Sequence, residues 1–203
     1  MKAIGEVLSA SITGLVAECW QKEDLQAVRS TDGKPRFGSY LTVDSSENAL
    51  SIFAVVFDVI TGPQDNLHKP AALGMTRDQL KLEQPQIFSL LKTEIHAAII
   101  GYSMDGLCHA GLPPHPPQVH DFVFPSTDEQ VIGMTENLDF VRLVARVPSV
   151  PSDELIAACI KEACAARKGD YQFLVEAGQS LAHTFRDDYD RLSSVLRKIR
   201  PQR

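Results

Sequence analysis

The run Ser51–Thr61, Ser-Ile-Phe-Ala-Val-Val-Phe-Asp-Val-Ile-Thr, constrains this chain more than any other stretch. It is rich in β-branched and aromatic residues and almost continuously apolar, with Asp58 as its one charge. Such a run predicts a strand with both faces covered, because a strand with one wet face alternates apolar and polar residues. Gly62-Pro63 ends it. The domain must therefore bring something apolar to each side of this strand. Val55, Val56, Val59 and Ile60 are its expected core residues, joined by Ile99 and Phe122 from other strands.

Further strands are expected before and after it. Val7–Val16 contains apolar alternation, and Phe37–Val43 follows the turn residues Asp32-Gly33-Lys34-Pro35. Thr93–Tyr102 and Gln118–Phe124 complete the set. One helical insertion is predicted at about 76–92. Thr76 and Gln79 stand at capping-box spacing, and Pro85 opens a second short helix. After Pro125 the pattern becomes helical: Asp128–Met134, then a segment at Phe140–Val147 that reads as helix or strand. A helix is expected from Ser152 to Lys168-Gly169, and another from Asp170 to about Arg200. The fold class expected is α+β, with antiparallel strands over residues 1–125, which the family resemblance given below implies form a small β-barrel, and a helical appendage over 126–203.

The 203 residues suit one medium domain or a domain with an appendage. A net charge of −6 argues against a broad nucleic-acid surface, which needs clustered cations. No run approaches the roughly 18–20 apolar residues of a membrane helix, and Met1–Glu6 does not read as a signal peptide. Cys19, Cys108, Cys159 and Cys164 form no C-x-x-C pair and read as reduced thiols of a cytoplasmic protein.

The chemical motifs are sparse. Cys108, His109, His115 and His120 give the spacing C-H-x5-H-x4-H, which matches no familiar zinc pattern. Prolines 113, 114, 116 and 117 also stiffen that segment into an extended path. A metal-dependent enzyme using Cys108–His120 is the alternative this region carries. His68 and His96 add no partner spacing. Ser39, Ser103 and Ser180 lie near glycines but form no nucleophile elbow. Asp187, Asp188 and Asp190 read as a solvated face pairing with Arg186 and Arg191. From Arg191 the chain holds Arg191, Arg197, Lys198, Arg200 and Arg203 and no acid. Cations suit a helix C-terminus, and the nucleic-acid accessory alternative rests on this tail. Phe185, Tyr189, Leu192, Leu196 and Ile199 recur in steps of four and three, a seam expected to bind a protein partner or a second copy.

Five segments together resemble the HAS-barrel family, the small β-barrel at the N-terminus of HerA-type ATPases and rotary ATP synthase subunits. "IGEVLSASITGLVAEC" resembles its opening hairpin, and "RFGSYLTV" the strand preceded by a glycine. "FAVVFDVITGP" resembles the next strand, with Ala54 where a glycine is usual, and "LPPHPPQVHDFVFP" the strand that closes the barrel. "LGMTRDQLKLEQPQIFSLLKTEI" resembles the helical insertion, so the likeness covers about 60% of the chain. HerA-type proteins continue into a nucleotide-binding domain with G-x-x-x-x-G-K-[ST], and this sequence has no such run. The resemblance therefore implies a stand-alone barrel with no ATPase activity, no catalytic residues and no cofactor. Its implied role is assembly or docking, with a motor ATPase as the implied partner.

Overall fold

The computed structural model describes residues 2–20, 35–45, 50–64, 71–148 and 150–200. The turn Asp32-Gly33-Lys34, His68 and Arg203 lie outside these. Seven strands form one antiparallel sheet: β1 Gly5–Ala10, β2 Gly14–Cys19, β3 Tyr40–Ser45, β4 Leu50–Pro63, β5 Leu91–Met104, β6 Leu107–Ala110 and β7 Phe122–Pro125. Their order is β2-β1-β7-β3-β4-β5-β6, and β2 also pairs with β5. That extra pairing closes six strands into a barrel and leaves β6 outside the ring. Closure removes the free edges that an open sheet presents. The last barrel strand in the chain, β7, inserts between β1 and β3.

The β4 run is buried on both faces, as its composition requires, but only over its first half. Ile52, Ala54 and Val56 fill the barrel interior with Ile4, Val7, Leu15, Ala17, Leu41, Val43, Ile95, Ala97, Ile99 and Val123. Phe53 and Val55 point outward into a second core shared with helices. Beyond Val56 the strand runs past the barrel. Val59 is partly buried and packs against the barrel core, whereas Ile60 is 43% exposed and is not the core residue expected. Phe122 is a second correction. Strand parity turns Val123 inward, which sends Phe122 outward, 51% exposed and edge-on to Trp20 at 5.7 Å. His120 is not on the strand either. It sits in the preceding turn with φ 74°, where Asp121 Oδ2 accepts from the Gln118 N–H.

Alternation along β5 serves both cores, and a bulge resets its parity. Ala54 pairs with Ile99 and Phe53 with Gly101, so Ile100 is the extra residue. By ordinary alternation Ile99 packs inside the barrel and Ile100 outside it, and the bulge then returns Tyr102 to the barrel core.

The insertion forms α1 Arg77–Glu83 and α2 Gln86–Ser89. The Thr76–Gln79 capping box is present as expected, and Arg77 lies over the Phe88 ring. A second capping box, Thr127–Gln130, starts α3 Asp128–Met134. A 3-10 turn at Leu138–Phe140 leads into α4 Val141–Val144, which resolves the ambiguous segment as helical. Next come α5 Ser152–Ala166, α6 Tyr171–Thr184 and α7 Tyr189–Ile199. The single long helix expected after Asp170 is thus two helices. Asp188 caps α7 by accepting the Arg191 N–H, which stabilises a fresh start there.

The helices cover the outer face of β3, β4 and β5. Phe140, Leu155, Ile156, Ile160 and Leu181 join Tyr40, Phe53, Val55 and Ile100 in one cluster. Gly38 holds this junction close. Its φ is +82°, and a Cβ there would lie 2.5 Å from the Ala158 Cβ on α5. Gly38→Ala should cost about 2 kcal/mol, from left-handed strain plus displacement of α5. Urea denaturation checks this, and a midpoint within error of the parent would refute it.

Candidate functional site

The Pro-rich stretch does not gather its ligands. Cys108 lies on β6, near α3, where a Cβ on Gly133 would stand 3.7 Å from its Sγ. His109 stacks on Tyr102 with ring centroids 4.9 Å apart. His120 Nδ1 instead meets Glu6 Oε1 of β1. Among the described residues no three His, Cys, Asp or Glu side chains converge as a metal site. Cys159 and Cys164 are buried, and burial pushes both thiols up, which suppresses the nucleophilic thiolate.

The seam residues divide between two roles. Phe185 and Ile199 are buried in the helical core, and Leu192 packs against it. Val195, absent from the expected seam, is the fully buried residue of α7. Tyr189 and Leu196 remain on the surface, Tyr189 at 77% exposure. The reason is geometric. Leu192, Val195 and Ile199 form the i, i+3, i+7 stripe that faces α5, and this turns Tyr189 and Leu196 to one side.

Polar contacts pin α7 in that rotation. Arg191 Nε donates to Asp153 Oδ1 at 2.7 Å, and Lys198 Nζ lies 3.0 Å from Glu154 Oε1. Both acids stand in the first turn of α5. Arg191 also lies over the Phe185 ring at 4.6 Å. Two cations of the basic tail are thereby engaged within the chain, while Arg197 and Arg200 stay exposed.

Between α6 and α7 runs an open groove of about 750 Å³. Tyr171, Leu174, Val175 and Gly178 line it from α6, and Leu196, Ile199 and Arg200 from the other side. A smaller hollow of about 210 Å³ continues along α7 past Tyr189, Ser193, Leu196 and Arg197. Tyr171 is 68% exposed, and Val175 and Leu196 are also exposed.

Sequence reasoning missed Arg167. Its guanidinium donates to Thr135 Oγ1 and to the carbonyls of Ala163 and Ile132, at 2.7, 3.1 and 3.0 Å. It also covers the Phe173 ring at 4.1 Å. It ties α3, α5 and α6 together and so sets where α6 stands beside α7. Only its place just before the Lys168-Gly169 terminator hints at this.

No family model matches the sequence, and no curated protein matches it. No helix among the described residues is long and apolar enough to cross a membrane.

Proposed function

We propose that this chain is a non-catalytic assembly or adaptor protein of the HAS-barrel type. In this reading the closed barrel is a rigid base, and the helical layer presents a protein-docking surface. The observation that carries it is the α6–α7 groove, where Tyr171, Val175 and Leu196 are exposed side by side with Arg200 at the rim. Contiguous apolar exposure of this kind costs solubility unless a partner covers it. The resemblance of residues 1–125 to the collar barrels of motor ATPases supports a motor ATPase as the partner class. The closure of six strands into a barrel supports the reading.

Photo-crosslinking tests the docking surface. A photoreactive amino acid replaces Val175 in the full chain, and a control chain carries it at Leu82, an exposed position on α1. The Val175 probe should give one discrete protein product in the cell, and Leu196→Glu should remove it. Equal labelling from both positions, or none from Val175, would refute the docking role.

A further inference from the structure

We infer that the exposed side of α7 pairs with α7 of a second copy of this chain, antiparallel, about a two-fold axis midway between Ser193 and Leu196. This deepens the docking reading and rests on it.

The helix repeats at about 100° per residue. Tyr189, Ser193, Leu196 and Arg200 then fall within about 60° of one another, along the surface hollow they share. The adjoining side, Val195 and Ile199, is buried in the helical core. The α5 contacts of Arg191 and Lys198 fix the helix in this rotation. The stripe is therefore presented rigidly.

Charge selects both the occupant and its direction. Asp190 and Arg197 are exposed and seven residues apart, so they lie on one flank, about 20° from each other. A two-fold interface sets residue i against j and j against i. Antiparallel pairing about the stated axis sets each flank against the same flank of the other copy. Asp190 and the partner's Arg197 then stand on facing flanks, two residues (about 3 Å) out of level, a gap the long arginine side chain spans, and Arg197 meets the partner's Asp190 in the same way. Tyr189 meets the partner's Arg200 as a ring under a guanidinium. Leu196 packs over the partner's Ser193, whose small side chain leaves room for it. A parallel two-fold pairing would instead set the flank of Asp190 and Arg197 against the opposite flank, that of Leu192, and leave both charges without a partner of opposite sign. The acidic start of the helix, Asp187, Asp188 and Asp190, thus complements the basic end of its copy.

Sedimentation velocity over a concentration series tests this on the full chain. The parent should dimerise reversibly, and less tightly as salt rises. Asp190→Arg and Arg197→Asp should each weaken the dimer at least tenfold, with unchanged circular dichroism. An equimolar mixture of the two variants should restore it, because every facing pair is then again of opposite sign. A parent that stays monomeric up to about 1 mM, variants that still dimerise, or a mixture that stays monomeric would overturn the inference. A monomeric parent whose Val175 probe still captures another protein would remove the second copy as occupant and leave the docking reading standing. Restored dimers without a Val175 product would do the reverse.

Discussion

Ile100→Asp should abolish the folded state, whereas Ile100→Val should cost only about 0.5–1.5 kcal/mol. Ile100 is fully buried between β5 and the helical layer, in the cluster that holds Tyr40, Phe140, Ile156 and Leu181. A carboxylate there would lose its hydration and gain no cation, a penalty of several kcal/mol. Domains of this size are stable by only about 5–15 kcal/mol, so that loss together with the lost packing is decisive. Trp20, the single tryptophan, sits on the barrel, while far-UV circular dichroism is dominated by the helices. In the Ile100→Val variant both signals should move together to a lower urea midpoint. Barrel and helices share β3, β4 and β5, so neither can unfold without exposing the other's core. Two separated transitions would show that the helical layer melts alone.

Alkaline pH should unfold the chain through Cys159 and Tyr40. Burial raises both above their ordinary values, and the nearby Cys159 thiol adds to the Tyr40 shift. Tyr40 donates its hydroxyl to the Cys159 carbonyl at 3.1 Å, so the neutral form is the one the fold accommodates. A group whose folded pKa is raised contributes stability below its unfolded pKa and loses it as pH rises. For Cys159 the loss begins near pH 8.5 and for Tyr40 near pH 10, since the unfolded chain ionises there first. Each group removes about 1.4 kcal/mol per pH unit once its window opens. Cys159 alone should therefore cost about 2 kcal/mol by pH 10. Urea midpoints taken from pH 7 to 11 check this. The Cys159→Ala/Tyr40→Phe chain should start lower at neutral pH and show a flatter alkaline limb. Parallel limbs for the two proteins would refute the assignment.

Local signals carried the element types. The Ser51–Thr61 run required a strand covered on both sides, and β4 is so covered from Ile52 to Val56. Thr76 and Gln79 announced a helix start, because a hydroxyl and an amide three residues apart satisfy two backbone N–H groups reciprocally. Thr127 and Gln130 carry the same spacing and start α3. Phe122 went wrong through parity. Val119, Asp121 and Val123 on one side and His120, Phe122 and Phe124 on the other offer two apolar faces, and alternation alone does not say which turns inward.

What the sequence by itself determined is the α+β class, a β-rich region ending at Pro125 and the helical character that follows. Those properties depend on residues near one another in the chain: apolar alternation, caps and turn residues. The tertiary structure alone decided the rest. It closed the barrel by pairing β2 with β5 and set β7 between β1 and β3. It placed a bulge at Ile100 that returns Tyr102 to the barrel core. It also divided the seam of α7. Asp153 and Glu154, tens of residues away, fix the rotation of that helix, which buries Ile199 and leaves Tyr189 and Leu196 at the surface. A periodic stripe states that a helix has an apolar side. Which part of it meets its own fold and which part meets another protein depends on long-range packing that no local pattern encodes.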